Sequence, residues 1–179
     1  AAQDLVQTAF GGRFTSMLNT ELRVKTGLTY GARSGIDRPR QPGAATISSF
    51  TKVESTKAAI DLAIATLDRL HKDGLDAATI ESAKRYVAGQ YAPGLETAPQ
   101  LAAQLVDMAL FGDSRETVDG YLGTIAGATP AQIAEARAVF PDSKDLAIVA
   151  IGDAAKIRDW MKAYGPLTEM KMTDPRFSP

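Results

Sequence analysis

The sequence holds no cysteine and a single histidine, His71, in 179 residues. The first absence removes disulfides, thiolate metal sites and cysteine nucleophiles together. The second weighs against a zinc site, because a catalytic zinc takes several His or carboxylate ligands. No H-E-x-x-H pattern occurs. Nor is there an excess of charge of one sign: 20 Lys and Arg stand against 21 Asp and Glu, a net charge of -1. With no basic stripe, nucleic acid is not the default partner. No apolar run approaches the length of a membrane-spanning helix. Ala1-Ala2-Gln3-Asp4 is not the start of a charged region followed by an apolar core, so no signal peptide is read. The missing initiator Met predicts a processed or truncated chain, whose signal could have gone with the lost part.

What is present is ordinary for a globular protein: 45% hydrophobic and 23% charged residues. The length fits one domain over residues 1–179, with 165–179 as a proline-containing tail. The most informative stretch runs from Gly11 to Ser34 and reads as glycine turn, helix, glycine stop, strand. Phe14, Met17, Leu18 and Leu22 recur at helical spacing. Thr15 or Ser16 suits the N-cap, and Gly27 suits the positive φ that ends a helix. Leu28 to Ser34 has strand character, so Arg23 and Tyr30 are expected to approach each other across the Gly27 corner.

Around that stretch, Leu5, Val6, Ala9 and Phe10 predict the end of an earlier helix. Residues 37–43, with Pro39, Pro42 and two arginines, read as a loop, and Ala44 to Lys52 as a second, antiparallel strand. Ala58, Ala59, Leu62, Ala63, Leu67 and Leu70 form a helical stripe stopped by Gly74. Asp76 caps a helix to Ala92, Thr97 opens one to Leu110, and Arg115 to Ile125 is a weaker helix containing Gly120 and Gly123. Thr129-Pro130 opens another. Ser143 to Ile151 is an apolar run of strand length, expected to be buried on both faces. A last helix follows from Ala154 to Tyr164. The order predicts an α+β domain, with several helices on one face of a mostly antiparallel sheet that lacks its first strands.

These features together resemble the second, non-catalytic domain of the M16 metallopeptidases, the family of pitrilysin, insulin-degrading enzyme and the mitochondrial processing peptidase. The most specific part is Leu22-Arg23-Val24-Lys25-Thr26-Gly27-Leu28-Thr29-Tyr30, which is similar to the family's Leu-Arg-Glu-x-x-Gly-Leu-x-Tyr run. Gly11-Gly12, Ser16-Met17-Leu18, the Asp73 to Lys84 segment, Thr129 to Ile133 and Ile148 to Gly152 also fit. Val24 departs from the usual Glu and Met17 from the usual Arg. The resemblance implies a zinc-free half that closes over a peptide at the active site of a catalytic half. That other domain or subunit would carry H-x-x-E-H and the zinc. Neither a cofactor nor a catalytic residue is then expected in this chain. Arg23 and Tyr30 are implied to hold the substrate backbone. The family also implies a periplasmic location, with cytoplasm as the alternative.

Other readings compete. By residue type alone, Arg23 serves a helix C-terminus and Tyr30 packs in a sheet; the resemblance reverses that order. His71 reads as a last-turn histidine, Arg33, Arg38 and Arg40 as a solvated loop cluster, and Glu54, Glu81 and Glu96 as helix N-terminal carboxylates. Gly11-Gly12 lacks the rest of a phosphate loop, and Ser16 lacks a histidine partner. A non-proteolytic assembly subunit built on the same fold is the alternative function, and a stand-alone peptide-binding domain a weaker third.

Overall fold

The computed structural model describes residues 1–37 and 43–174. The chain opens with α1 (Ala2–Gln7), which widens into a π-helical turn, π1 (Thr8–Gly12). This segment is the hydrophobic centre: Leu5, Val6, Ala9 and Phe10 are all buried. Gly11 follows because β1 passes directly over it; a Cβ there would collide with the Ser34 backbone nitrogen. After Arg13 turns extended, α2 (Met17–Asn19) begins under a Ser16 cap and widens into a second π-helical turn, π2 (Thr20–Lys25).

Gly27, at φ +64°, turns the chain into β1 (Thr29–Ile36), which pairs antiparallel with β2 (Ala45–Thr51). Ala45 and Ile47 pack against the core, while Thr46, Ser48 and Phe50 face solvent, the alternation expected of a half-buried strand. The 37–43 loop, with Arg38, Pro39, Arg40 and Pro42, lies largely outside the described residues, as do the tail's last prolines, Pro175 and Pro179.

Helices make up the rest. α3 (Thr56–Asp73) buries Ala59, Leu67 and Leu70, the stripe read from its sequence, and stops at Gly74. α4 (Ala77–Tyr91) starts where Asp76 accepts from the Thr79 N–H at 2.7 Å. α5 (Ala98–Phe111) has a capping box between Thr97 and Gln100. The Arg115 to Ile125 region splits at Gly120 into α6 (Arg115–Asp119) and α7 (Tyr121–Gly127). α8 (Pro130–Ala136) and α9 (Ala154–Met161) follow. Ile80, Ala83, Ile125, Ile133 and Phe140 join the core around α1, and the Phe10 and Phe140 rings meet edge to face at 4.7 Å.

One expectation fails. Ser143 to Ile151 pairs with no strand among the described residues, and Val149 is 85% exposed. It keeps a strand's alternation, with Leu146, Ile148 and Ala150 half-buried and Ala147, Val149 and Ile151 exposed. An apolar run records a preference for burial, but a strand also needs a neighbour's backbone to satisfy its N–H and C=O groups. The described sheet therefore has two strands.

Candidate functional site

The Gly27 corner is built from two departures from regular geometry. Arg23 sits in π2 and Tyr30 in a bulge of β1. π-turns are rare and wind the chain more loosely than an α-helix, so they change the direction in which a side chain leaves. π2 is fixed from several sides. Glu21 accepts from Lys25 Nζ at 2.9 Å and from Arg69 Nη2, on α3, at 2.8 Å. Those two hydrogen bonds, Lys25 first, hold the Glu21 carboxyl below its ordinary pKa against a desolvation that opposes them. Thr26 Oγ1 closes the helix end by donating to the Glu21 carbonyl at 2.8 Å.

In the hairpin, Thr29 pairs with Thr51 and Ala32 with Ser49, so Tyr30 and Gly31 together face the single residue Phe50. The Thr29 hydroxyl stabilises this bulge. It accepts from the Gly31 N–H at 3.1 Å and donates to the Phe50 carbonyl at 2.6 Å. A bulge of this kind re-aims the side chain it carries. Tyr30 is turned outward, 72% exposed, with its ring 6.4 Å from that of Phe50.

The two halves meet as expected. The Arg23 guanidinium carbon lies 4.4 Å from the centre of the Tyr30 ring. On another side stands a ring that the sequence did not suggest: Phe14, 4.8 Å from the same carbon. Among the described residues Arg23 forms no ion pair or hydrogen bond; its contacts are these rings. A guanidinium packed on aromatic rings keeps its N–H donors for other groups, because those donors lie in its plane. The corner therefore presents a cation with available donors beside a phenol hydroxyl. That set can donate to a carbonyl and strengthen as negative charge develops on it.

A buried amide holds the set together. Asn19 is 4% exposed. Its Nδ2 donates to the Phe14 carbonyl at 2.7 Å, and its Oδ1 accepts from the Ala32 N–H at 3.2 Å. One side chain thus ties the Phe14 loop, the helix carrying Arg23 and the strand carrying Tyr30. Phe14 was assigned to the helical stripe and Asn19 passed over. The available signal was an asparagine next to Leu18 on a face that the helix buries. The loop is pinned at its other end by Arg13, whose Nη1 donates to the Ser82 carbonyl at 3.0 Å and Oγ at 2.9 Å.

The remaining candidates stay apart from this corner. The His71 Nε2 lies 3.2 Å from the Pro141 carbonyl, a contact between α3 and the chain after α8. Arg33 is exposed on β1, and its expected companions Arg38 and Arg40 fall outside the described residues. Glu54, Glu81 and Glu96 are exposed, and Glu81 pairs with Lys84 at 3.4 Å. Ser16 is the buried cap of α2. Among the described residues no group of three or more His, Asp or Glu is placed to hold a metal ion, and no helix is long and apolar enough to cross a membrane.

The corner's elements lie inside a recognised sequence family. The model of the peptidase M16 inactive domain matches residues 1–87. Residues 1–87 belong to the M16 inactive-domain family. Its inactive domain is the zinc-free half, and the match takes in Arg23, Tyr30, Phe14 and Asn19. The fold agrees beyond that segment. A peptidase M16 inactive domain from Pseudomonas fluorescens superimposes with TM-score 0.72 at 24% identity, covering 79% of this chain and 34% of that one. A protease from Helicobacter pylori gives TM-score 0.62 at 18% identity, covering 79% and 35%. A Bordetella pertussis Tohama I protein assigned as a zinc protease gives 0.64 at 17%, covering 79% of each chain. At these identities the likeness is one of fold. The M16-type chain spans about a third of the length of the Pseudomonas and Helicobacter chains. No curated protein matches it.

Proposed function

We propose that this chain is the substrate-binding, zinc-free half of a zinc-dependent endopeptidase. It closes over a peptide at the active site of an M16-type catalytic domain or subunit. The observation that carries this reading is the Arg23 guanidinium, packed against Tyr30 and Phe14 on an exposed corner with its N–H donors available. Arg23 and Tyr30 bind and orient the peptide backbone by donating to its carbonyls. The zinc of the other half supplies Lewis-acid chemistry. Reconstitution with the zinc-bearing half tests the role, comparing wild type with Arg23→Ala and Tyr30→Phe. Arg23→Ala is expected to lower kcat/KM by about 10²-fold, the scale of losing one charged donor to a developing oxyanion. Unchanged cleavage by both variants would sink the assignment.

A non-proteolytic assembly subunit is the second reading. It is favoured by α5, which buries no residue and exposes Leu101, Leu105, Val106 and Leu110, an apolar surface suited to packing against protein. The sequence upstream of Ala1 in the full gene, or the neighbouring gene, separates the two. An H-x-x-E-H there supports the peptidase, and its absence from both supports assembly. We place the parent protein in the periplasm, with cytoplasm as the alternative; osmotic-shock fractionation decides between them.

A further inference from the structure

The search of the molecule returns to the corner, where two residues without an assigned role converge on Arg23. We propose that Phe14 and Asn19 are positioning residues of this site: Phe14 as the second aromatic support of the guanidinium, Asn19 as the residue that fixes Phe14 and the Tyr30 bulge relative to it. The inference rests on the peptide-binding reading above and adds how the donor is aimed.

Arg23 has a long, flexible side chain, and among the described residues no carboxylate anchors it. A single ring would leave it free to swing away. Two rings, at 4.4 and 4.8 Å from the guanidinium carbon, restrict that motion and leave the N–H groups as the available surface. Phe14 is 59% exposed, more than its place in a hydrophobic stripe predicts. It lies before the Ser16 cap and so outside the helix. Its contribution to the core is correspondingly small, and its contact with Arg23 is what distinguishes it. The Phe14 loop is in turn held by Asn19 Nδ2, while Asn19 Oδ1 holds the Ala32 N–H at the end of the bulge. A buried primary amide is costly to desolvate unless both its ends are used, and both are used here for the two supports of one guanidinium. Such preorganisation matters because a donor displaced by about 1 Å costs on the order of 10²-fold in rate.

The test has two arms. In the isolated chain, the Arg23 Hε resonance is measured by NMR, since rings stacked on it shift it upfield. Phe14→Ala is expected to remove a large part of that shift while leaving the melting temperature close to wild type. Phe14→Tyr is expected to restore it. Asn19→Asp keeps the acceptor for Ala32 but loses the donor to Phe14, and is expected to show a reduced shift. In the reconstituted protease, Phe14→Ala is expected to lower kcat/KM roughly five- to twentyfold, below the loss at Arg23→Ala, with Phe14→Tyr recovering most of it. An Arg23 Hε shift that is the same in wild type and Phe14→Ala overturns the inference. So does wild-type cleavage by Phe14→Ala alongside defective Arg23→Ala, which leaves the peptide-binding reading standing. Wild-type cleavage by Arg23→Ala itself removes both.

Discussion

α3 and α5 are both long helices with recognisable ends, yet they stand differently in the molecule. α3 buries Ala59, Thr66, Leu67 and Leu70, and its Arg69 reaches across to clamp Glu21 beneath the corner. α5 has the higher proportion of apolar side chains but buries none of them. Leu105 and Val106 are 64% and 62% exposed. Burial, rather than hydrophobicity, therefore decides which helix can support a site. The region around residues 5–36 is cross-tied by hydrogen bonds and a shared core. The region around α5 and residues 143–151 carries apolar side chains that the rest of the described chain does not cover.

The sharpest way to break this contrast is in the core beneath the corner. Phe10 is fully buried against Phe140. Phe10→Ala is expected to cost about 3–5 kcal/mol, the range for truncating a buried aromatic. Urea unfolding measures it, and a loss under 1 kcal/mol would show that the first region is no better packed than the second. Next in size is Asn19→Leu, similar in shape but without hydrogen-bonding atoms. It leaves the buried Ala32 N–H without its partner and is expected to cost about 1–3 kcal/mol in the same measurement. A smaller loss would mean that water replaces the amide and that the Asn19 ties matter little.

Much of the fold was legible because its signals are local. Asp76, Thr97 and Thr129 cap their helices from the positions their sequences suggested, and Gly27 takes the positive φ expected at the corner. The approach of Arg23 to Tyr30 followed from the spacing across that glycine. The π-turn under Arg23 was not legible. Its supports include Arg69, 48 residues away, which no local period records. The bulge that turns Tyr30 outward depends on pairing with β2 and on the Thr29 hydroxyl, again a tertiary matter. Asn19 was missed because a polar residue in a helix is usually solvated; here its two partners lie five and thirteen residues away. For 143–151 the composition announced a strand correctly in kind, but composition does not name the neighbour that would complete it.

A third prediction concerns pH. The Glu21 carboxyl, hydrogen-bonded by Lys25 and Arg69, titrates below its ordinary value of 4.5 when folded. A carboxyl lowered on folding stabilises the native state above its unfolded pKa, and the stabilisation is lost as pH falls through the folded value. Glu21→Gln is therefore expected to be less stable than wild type at pH 7 and to approach it below about pH 4. Urea midpoints across that range check the sign. A gap that stays constant with pH would assign the clamp to packing instead of charge.

The smallest effect is expected at α5. Leu105→Ala removes a side chain that the described residues leave in solvent and replaces it with the best helix former. Stability should change by no more than about 0.5 kcal/mol, in either direction. If it instead falls by about 2–5 kcal/mol, Leu105 behaves as a core residue. The apolar face of α5 would then be covered in solution, and the contrast with α3 would belong to the single chain alone. Repeating the measurement at several protein concentrations identifies the cover. A concentration-dependent loss points to a second copy of the chain, because association stabilises by mass action. A concentration-independent loss places the covering contact within the chain itself. Only a near-zero change at every concentration leaves α5 as a free surface available to another half of a larger protein.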